Sequence, residues 1–128
     1  MMFNDILIFS ASINEVAWST NIVRTREMYY KLRANNLTPR RVLGKYKGTS
    51  EFSFVIDNTV SNKELVRNLA EEYGQESILA VTKGKAYLEY IKGDKFLLGN
   101  IKQVTPDYAE TKDAYSFDIS TKTFWVVE

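Results

Sequence analysis

The sequence contains neither cysteine nor histidine. That double absence excludes disulfides, thiol nucleophiles, Ser-His and Cys-His dyads, imidazole proton shuttles and zinc sites of the usual ligand set. Chemistry here rests on carboxylates, hydroxyls, lysine, arginine and backbone groups. Charge of one sign is also missing. The 17 Lys and Arg against 16 Asp and Glu give +1, with the signs mixed along the chain. A bulk electrostatic grip on nucleic acid or an anionic membrane is therefore not expected. Long apolar runs are absent too: the opening run Ile6-Leu7-Ile8-Phe9 follows Asp5 with no basic segment. It fits neither a signal peptide nor a membrane span and points to a cytoplasmic protein. With only two prolines, no repeat and no low-complexity tract, no linker stands out, and residues 1–128 read as a single domain.

What is present is a strand- and helix-forming pattern of ordinary apolar content, 45% with 13% aromatic. Phe3 to Ser10 is too short for a helix and predicts a first strand. Ile22, Met28, Tyr29 and Leu32 share one stripe of a helix over about 20–35, stopped by Asn35-Asn36 before Thr38-Pro39. Arg40 to Lys47 and Glu51 to Asp57 predict a hairpin turning at Gly48-Thr49. Ser61-Asn62-Lys63-Glu64 has capping-box spacing, Leu65, Val66, Leu69, Ala70 and Tyr73 form a stripe, and Gly74 stands where a C′ glycine belongs. Ile78 to Thr82 completes the order β-α-β-β-α-β, that of a ferredoxin-like α+β fold with helices on one sheet face. Ala86 to Ile91, Phe96 to Val104, and a hairpin of Tyr115 to Ile119 with Phe124 to Val127 read as C-terminal β additions, with a loop over 105–113.

With Gly48-Thr49 as the turn, Lys47 pairs with Ser50 and Tyr46 lies opposite Glu51. Val42, Gly44, Tyr46, Glu51, Ser53 and Val55 then share one face, and Leu43, Phe52, Phe54 and Ile56 share the face under the helices. The first face, uncovered in a ferredoxin-like domain, is a candidate ligand or subunit surface; the bland reading is a solvated cross-strand pair at a hairpin tip. Arg24 and Arg26, about 200° apart on a helix, read most simply as solvated charges. Glu71-Glu72 and Lys83 with Lys85 do so as well. Gly44-x-x-x-Gly48 is a hairpin that opens no helix, so it is no phosphate loop. Residues 47–52 fail the RNA-recognition template, because Thr49 and Glu51 stand where stacking aromatics belong.

Several segments in order resemble a known family. They are Ser10-Ala11, Asn21-x-x-Arg24-Thr25-Arg26 with Met28 and Leu32, Gly44-x-Tyr46-x-Gly48-x-x-Glu51-x-Ser53-Phe54, and Gln75-Glu76-Ser77. The chain is similar over most of its length to the small phage enzymes that degrade S-adenosylmethionine, described as hydrolases and, mechanistically, as lyases. The resemblance implies a homotrimer with active sites between subunits and no metal or cofactor. It implies Glu51 as the catalytic residue, Tyr46 and Glu76 lining the site, and Asn21, Arg24 and Ser10 as further substrate-binding positions. S-adenosylmethionine carries its own electrophile, the sulfonium, and its own nucleophile, the α-carboxylate. Cleavage to 5′-methylthioadenosine and homoserine lactone thus asks for no imidazole or thiol. Two alternatives stand beside it: hydrolysis by a Glu-activated water, and a non-catalytic trimeric ligand-binding module.

Overall fold

The computed structural model describes residues 5–46 and 48–128. Its elements are β1 (Ile6–Phe9), α1 (Trp18–Ala34), β2 (Arg40–Tyr46), β3 (Thr49–Asp57), α2 (Val60–Glu72), β4 (Ser77–Thr82), β5 (Lys85–Tyr90), β6 (Lys95–Val104), α3 (Pro106–Glu110), β7 (Ala114–Asp118) and β8 (Thr123–Val127). All strand pairs are antiparallel, and the strands close into a barrel in the order β1-β3-β2-β7-β8-β6-β5-β4. No helix among the described residues is long and apolar enough to cross a membrane.

This closure overturns the expectation of a ferredoxin-like α+β sheet. Within the barrel, β4-β1-β3-β2 do lie in the order a split βαβ unit produces, which explains why the element order suggested it. Yet neither β2 nor β4 is an edge: β7 pairs along β2, β5 along β4, and β8 and β6 join them. An open sheet would present two rows of unpaired backbone groups and an apolar inner face, and closure satisfies both. The strands read as additions are half of the wall.

The inner and outer faces of the wall form two cores. Ile6, Val42, Val55, Val81, Ala86, Ile101 and Trp125 fill the lumen, with Ile8, Leu79 and Val127 packed against them. Leu7, Phe9, Phe54, Ile56, Ile78 and Ala80 point outward under α1 and α2, against Met28, Leu32, Val66, Leu69, Ala70 and Tyr73. Strands β1, β3 and β4 are buried on both sides, so they read as near-continuous apolar runs rather than as alternating ones. Met28 and Leu32, both fully buried, each contribute about 1.5–3 kcal/mol by leaving water.

Local signals explain the helix ends. α2 starts at Val60, earlier than the Ser61 capping box suggests, because Thr59 is its cap and accepts from the Asn62 N–H at 3.1 Å. It ends in a Schellman motif: the Gly74 N–H donates to the Glu71 carbonyl, the Gln75 N–H to Ala70, and Gly74 takes φ +71. α1 starts at Trp18 and buries Thr25, Met28 and Leu32, while Ile22 is exposed. α3 falls inside the segment expected to be loop; Thr105 caps it and Pro106 occupies its first turn. Glu128 ties α3 to β6: it accepts from the Tyr108 hydroxyl at 2.7 and 2.8 Å and pairs with Lys112 at 2.9 Å and Lys102 at 3.6 Å.

Candidate active site at the mouth of the barrel

The β2–β3 hairpin sets the site. Its register is Tyr46↔Thr49, Lys45↔Ser50 and Gly44↔Glu51. The expected pairing of Tyr46 with Glu51 is thus two residues out, because Gly48, at φ +83, lies within the turn and Thr49 already belongs to the ladder. The expected partner of Ser50, Lys47, lies outside the described residues. An even shift leaves every side chain on its face, so Tyr46 and Glu51 still share one. That face is not an outer surface, however. Val42 and Val55 on it are 0% and 2% exposed, inside the barrel.

Pairing continues across the wall from this hairpin. Glu51 faces Gly44, Gly44 faces Ser116, and Ser116 faces Trp125. A carboxylate, an empty position, a hydroxyl and an indole therefore stand in one row on the inner face of β3, β2, β7 and β8. All four line a cavity of about 630 Å³ at the barrel mouth, walled by Ile8, Leu79, Ile101 and Val127 and rimmed by Tyr46 and Tyr115. Its size suits a small organic ligand.

Glu51 is half-buried in this mostly apolar mouth. Burial raises its pKa above the ordinary value, and the Ser10 hydroxyl beside it partly opposes that rise. Among the described residues no cation forms an ion pair with it. Ser10 itself is buried; its hydroxyl donates to the Phe52 carbonyl at 2.9 Å and accepts from the Ser12 N–H at 2.9 Å. Tyr46 is exposed at the rim.

The other expected residues lie around the site rather than in it. Asn21 accepts from the Ile13 N–H at 3.0 Å and donates to the Ile13 carbonyl at 2.8 Å, closing the loop that follows β1. Arg24 is not a solvated charge: it donates to the Ala11 carbonyl at 2.7 Å and to that of Tyr73, with its guanidinium over the Tyr73 ring. Arg26 is exposed. Glu76 is exposed and lines a separate cavity of about 650 Å³ with Gln75, Tyr90 and Phe96.

The model of the S-adenosylmethionine lyase family matches residues 7–128, nearly the whole chain. The chain belongs to the S-adenosylmethionine lyase family. No curated protein matches it. As an S-adenosylmethionine lyase it needs a pocket for a substrate bearing a sulfonium, an ammonium, a carboxylate and an adenosine. Sequence reasoning missed Asn14, Leu79, Tyr115, Ser116 and Trp125 of the cavity lining. Only barrel closure brings β7 and β8 beside β2, and no local pattern announces that pairing.

Proposed function

We propose that the protein cleaves S-adenosylmethionine to 5′-methylthioadenosine and homoserine lactone in the barrel mouth around Glu51. One substrate carboxylate oxygen attacks the γ-carbon, the γ-carbon–sulfur bond breaks, and its electron pair leaves on sulfur as a neutral thioether. No proton changes place, so neither base nor acid is required. Opposite charges are annihilated in the step, so a site that excludes water and holds the folded-back substrate speeds it through orientation and lost hydration. The Ile8, Leu79, Ile101 and Val127 wall supplies that exclusion.

The observation that carries this reading is Glu51, a carboxylate with no cationic partner among the described residues, held in an apolar cavity. Its partner is the substrate: the ammonium or the ribose hydroxyls. An anion against the sulfonium itself would stabilise the ground state and slow the reaction. Tyr46 at the rim meets the sulfonium through its ring face. Ser10 orients Glu51, while Asn21 and Arg24 act by fixing the loop after β1 rather than by touching substrate. The raised pKa of Glu51 favours a second reading, in which it deprotonates a water that attacks the γ-carbon and gives homoserine directly.

The reaction uses no metal or cofactor, and the protein works as a homotrimer. The support for assembly is no longer the Val42 and Val55 face, which lies inside the barrel. It is the exposure of several large apolar side chains, Trp18, Tyr46, Phe96 and Leu97 among them. In the trimer Glu76 reaches a neighbouring protomer's site. Proton NMR of S-adenosylmethionine with the protein in excess EDTA tests the assignment: methylthioadenosine and homoserine lactone appear together at the outset. Homoserine formed at the full initial rate without lactone, or activity lost on chelation and restored by a divalent ion, contradicts it.

A further inference from the structure

Gly44 is not required by the backbone. Gly48, Gly74, Gly84, Gly93 and Gly99 adopt positive φ, whereas Gly44 does not. It sits inside β2, where glycine is a poor strand former. A Cβ on it meets only the Glu51 carbonyl oxygen, at 3.6 Å, an ordinary contact. Neither conformation nor crowding in the wall calls for glycine here. What the missing side chain leaves is space inside the cavity, directly beside Glu51.

The next position in the row, Ser116, is also small. Neighbouring strands lie about 5 Å apart, so two consecutive small residues leave a gap roughly 10 Å wide on the inner wall. Glu51 bounds it on one side and Trp125 on the other. Trp125 is a fixed boundary: it is 1% exposed, its indole N–H donates to Thr123 Oγ1 at 3.1 Å, and the Arg40 guanidinium lies 5.7 Å from its ring centroid.

We propose that Gly44 and Ser116 form the floor of a slot that takes the nucleoside part of the substrate and so determine selectivity for an adenosyl sulfonium. This rests on the S-adenosylmethionine-cleaving reading above. The planar base lies over the two small residues toward Trp125, and the ribose hydroxyls meet Glu51. Ser116 adds one neutral hydrogen-bonding group to the floor. Filling the slot weakens binding of the nucleoside while leaving the intramolecular step, which takes place at the amino-acid end, much less changed.

Steady-state kinetics with S-adenosylmethionine and calorimetric titration with methylthioadenosine test the slot in wild type, G44A, G44V, S116A and S116V. G44A keeps or raises Tm, since a glycine without positive φ is replaced by a better strand former, yet raises KM. G44V and S116V weaken methylthioadenosine about 10-fold or more and raise KM by more than they lower kcat, whereas S116A, which keeps the slot open and removes only the hydroxyl, weakens binding by clearly less than S116V. Wild-type KM and affinity in G44V overturn the slot. Where G44V or S116V fails to fold, G44A decides: wild-type KM, or a fall in Tm with KM unchanged, marks a structural glycine. A wild type that does not cleave S-adenosylmethionine overturns the function and the slot together; one that cleaves it, with G44V kinetically unchanged, overturns the slot alone.

Discussion

Glu51 lies directly opposite Gly44 across the β2–β3 ladder, so the carboxylate drawn into the barrel mouth has an empty position at its side instead of a packing partner. Ser10 offsets its desolvation only in part and no cation among the described residues pairs with it, so in the proposed reading the substrate supplies the rest.

Replacing Glu51 with glutamine keeps the shape and removes the charge. Turnover of S-adenosylmethionine in E51Q falls by about 10²-fold, the scale of a positioned acidic group. Stability moves the other way. Burial raises the folded-state pKa of Glu51 above its ordinary 4.5, so the folded protein binds this proton more tightly than the unfolded chain does. The residue's contribution is most favourable below about 4.5 and is lost as pH rises through the folded value. E51Q therefore melts higher than wild type at neutral pH, and the difference vanishes on acidification below about 4.5. Melting curves across this range check the sign.

Asn21 acts through the loop after β1. N21A leaves the Ile13 N–H and carbonyl without their partner and lowers stability by about 1–3 kcal/mol. Asn14, next to Ile13, lines the cavity, so KM rises more than kcat falls. Denaturant titration and steady-state kinetics on one preparation separate the two effects.

Glu128 gives an opposite pH signature. Hydrogen bonds from Lys112 and Tyr108, with Lys102 nearby, hold its carboxyl down to about 2. That contribution is present above about 4.5 and is lost as pH falls through about 2. E128Q is accordingly less stable than wild type at neutral pH, modestly because the cluster is exposed and screened, and the two converge as pH falls toward about 2. Melting at low and at high salt follows the same difference.

Assembly has its own check. Light scattering at micromolar concentration is expected to give the mass of a trimer, and placing a carboxylate on the apolar surface with F96E or L97E is expected to lower mass and activity together. A fully active monomer contradicts a site shared between subunits.

Much of this molecule is legible in its residues, and the boundary has a physical cause. Gly74 and Asn36 take the positive φ that their places at helix ends suggest. Phe54 and Ile56 lie under the helices because strand alternation places them there. The Glu51 and Tyr46 face survives a two-residue error in register because the error is even. What alternation does not carry is long-range pairing. β2 and β7 are joined by backbone bonds between segments far apart in sequence, so the barrel, and with it Ser116 and Trp125 beside Glu51, has no local signature. Arg24 reads as solvated charge because its acceptors, the carbonyls of Ala11 and Tyr73, leave no trace in side-chain pattern.

The central claim is that the substrate's own carboxylate, not water, attacks the γ-carbon, and oxygen labelling tests it most directly. S-adenosylmethionine is cleaved in ¹⁸O-enriched water, and the position of the label in homoserine is read by mass spectrometry. Intramolecular attack makes unlabelled lactone, whose later hydrolysis at the acyl carbon puts ¹⁸O into the carboxylate and leaves the γ-hydroxyl unlabelled. Label in the γ-hydroxyl from the first turnovers means that water attacked the γ-carbon, and contradicts the account.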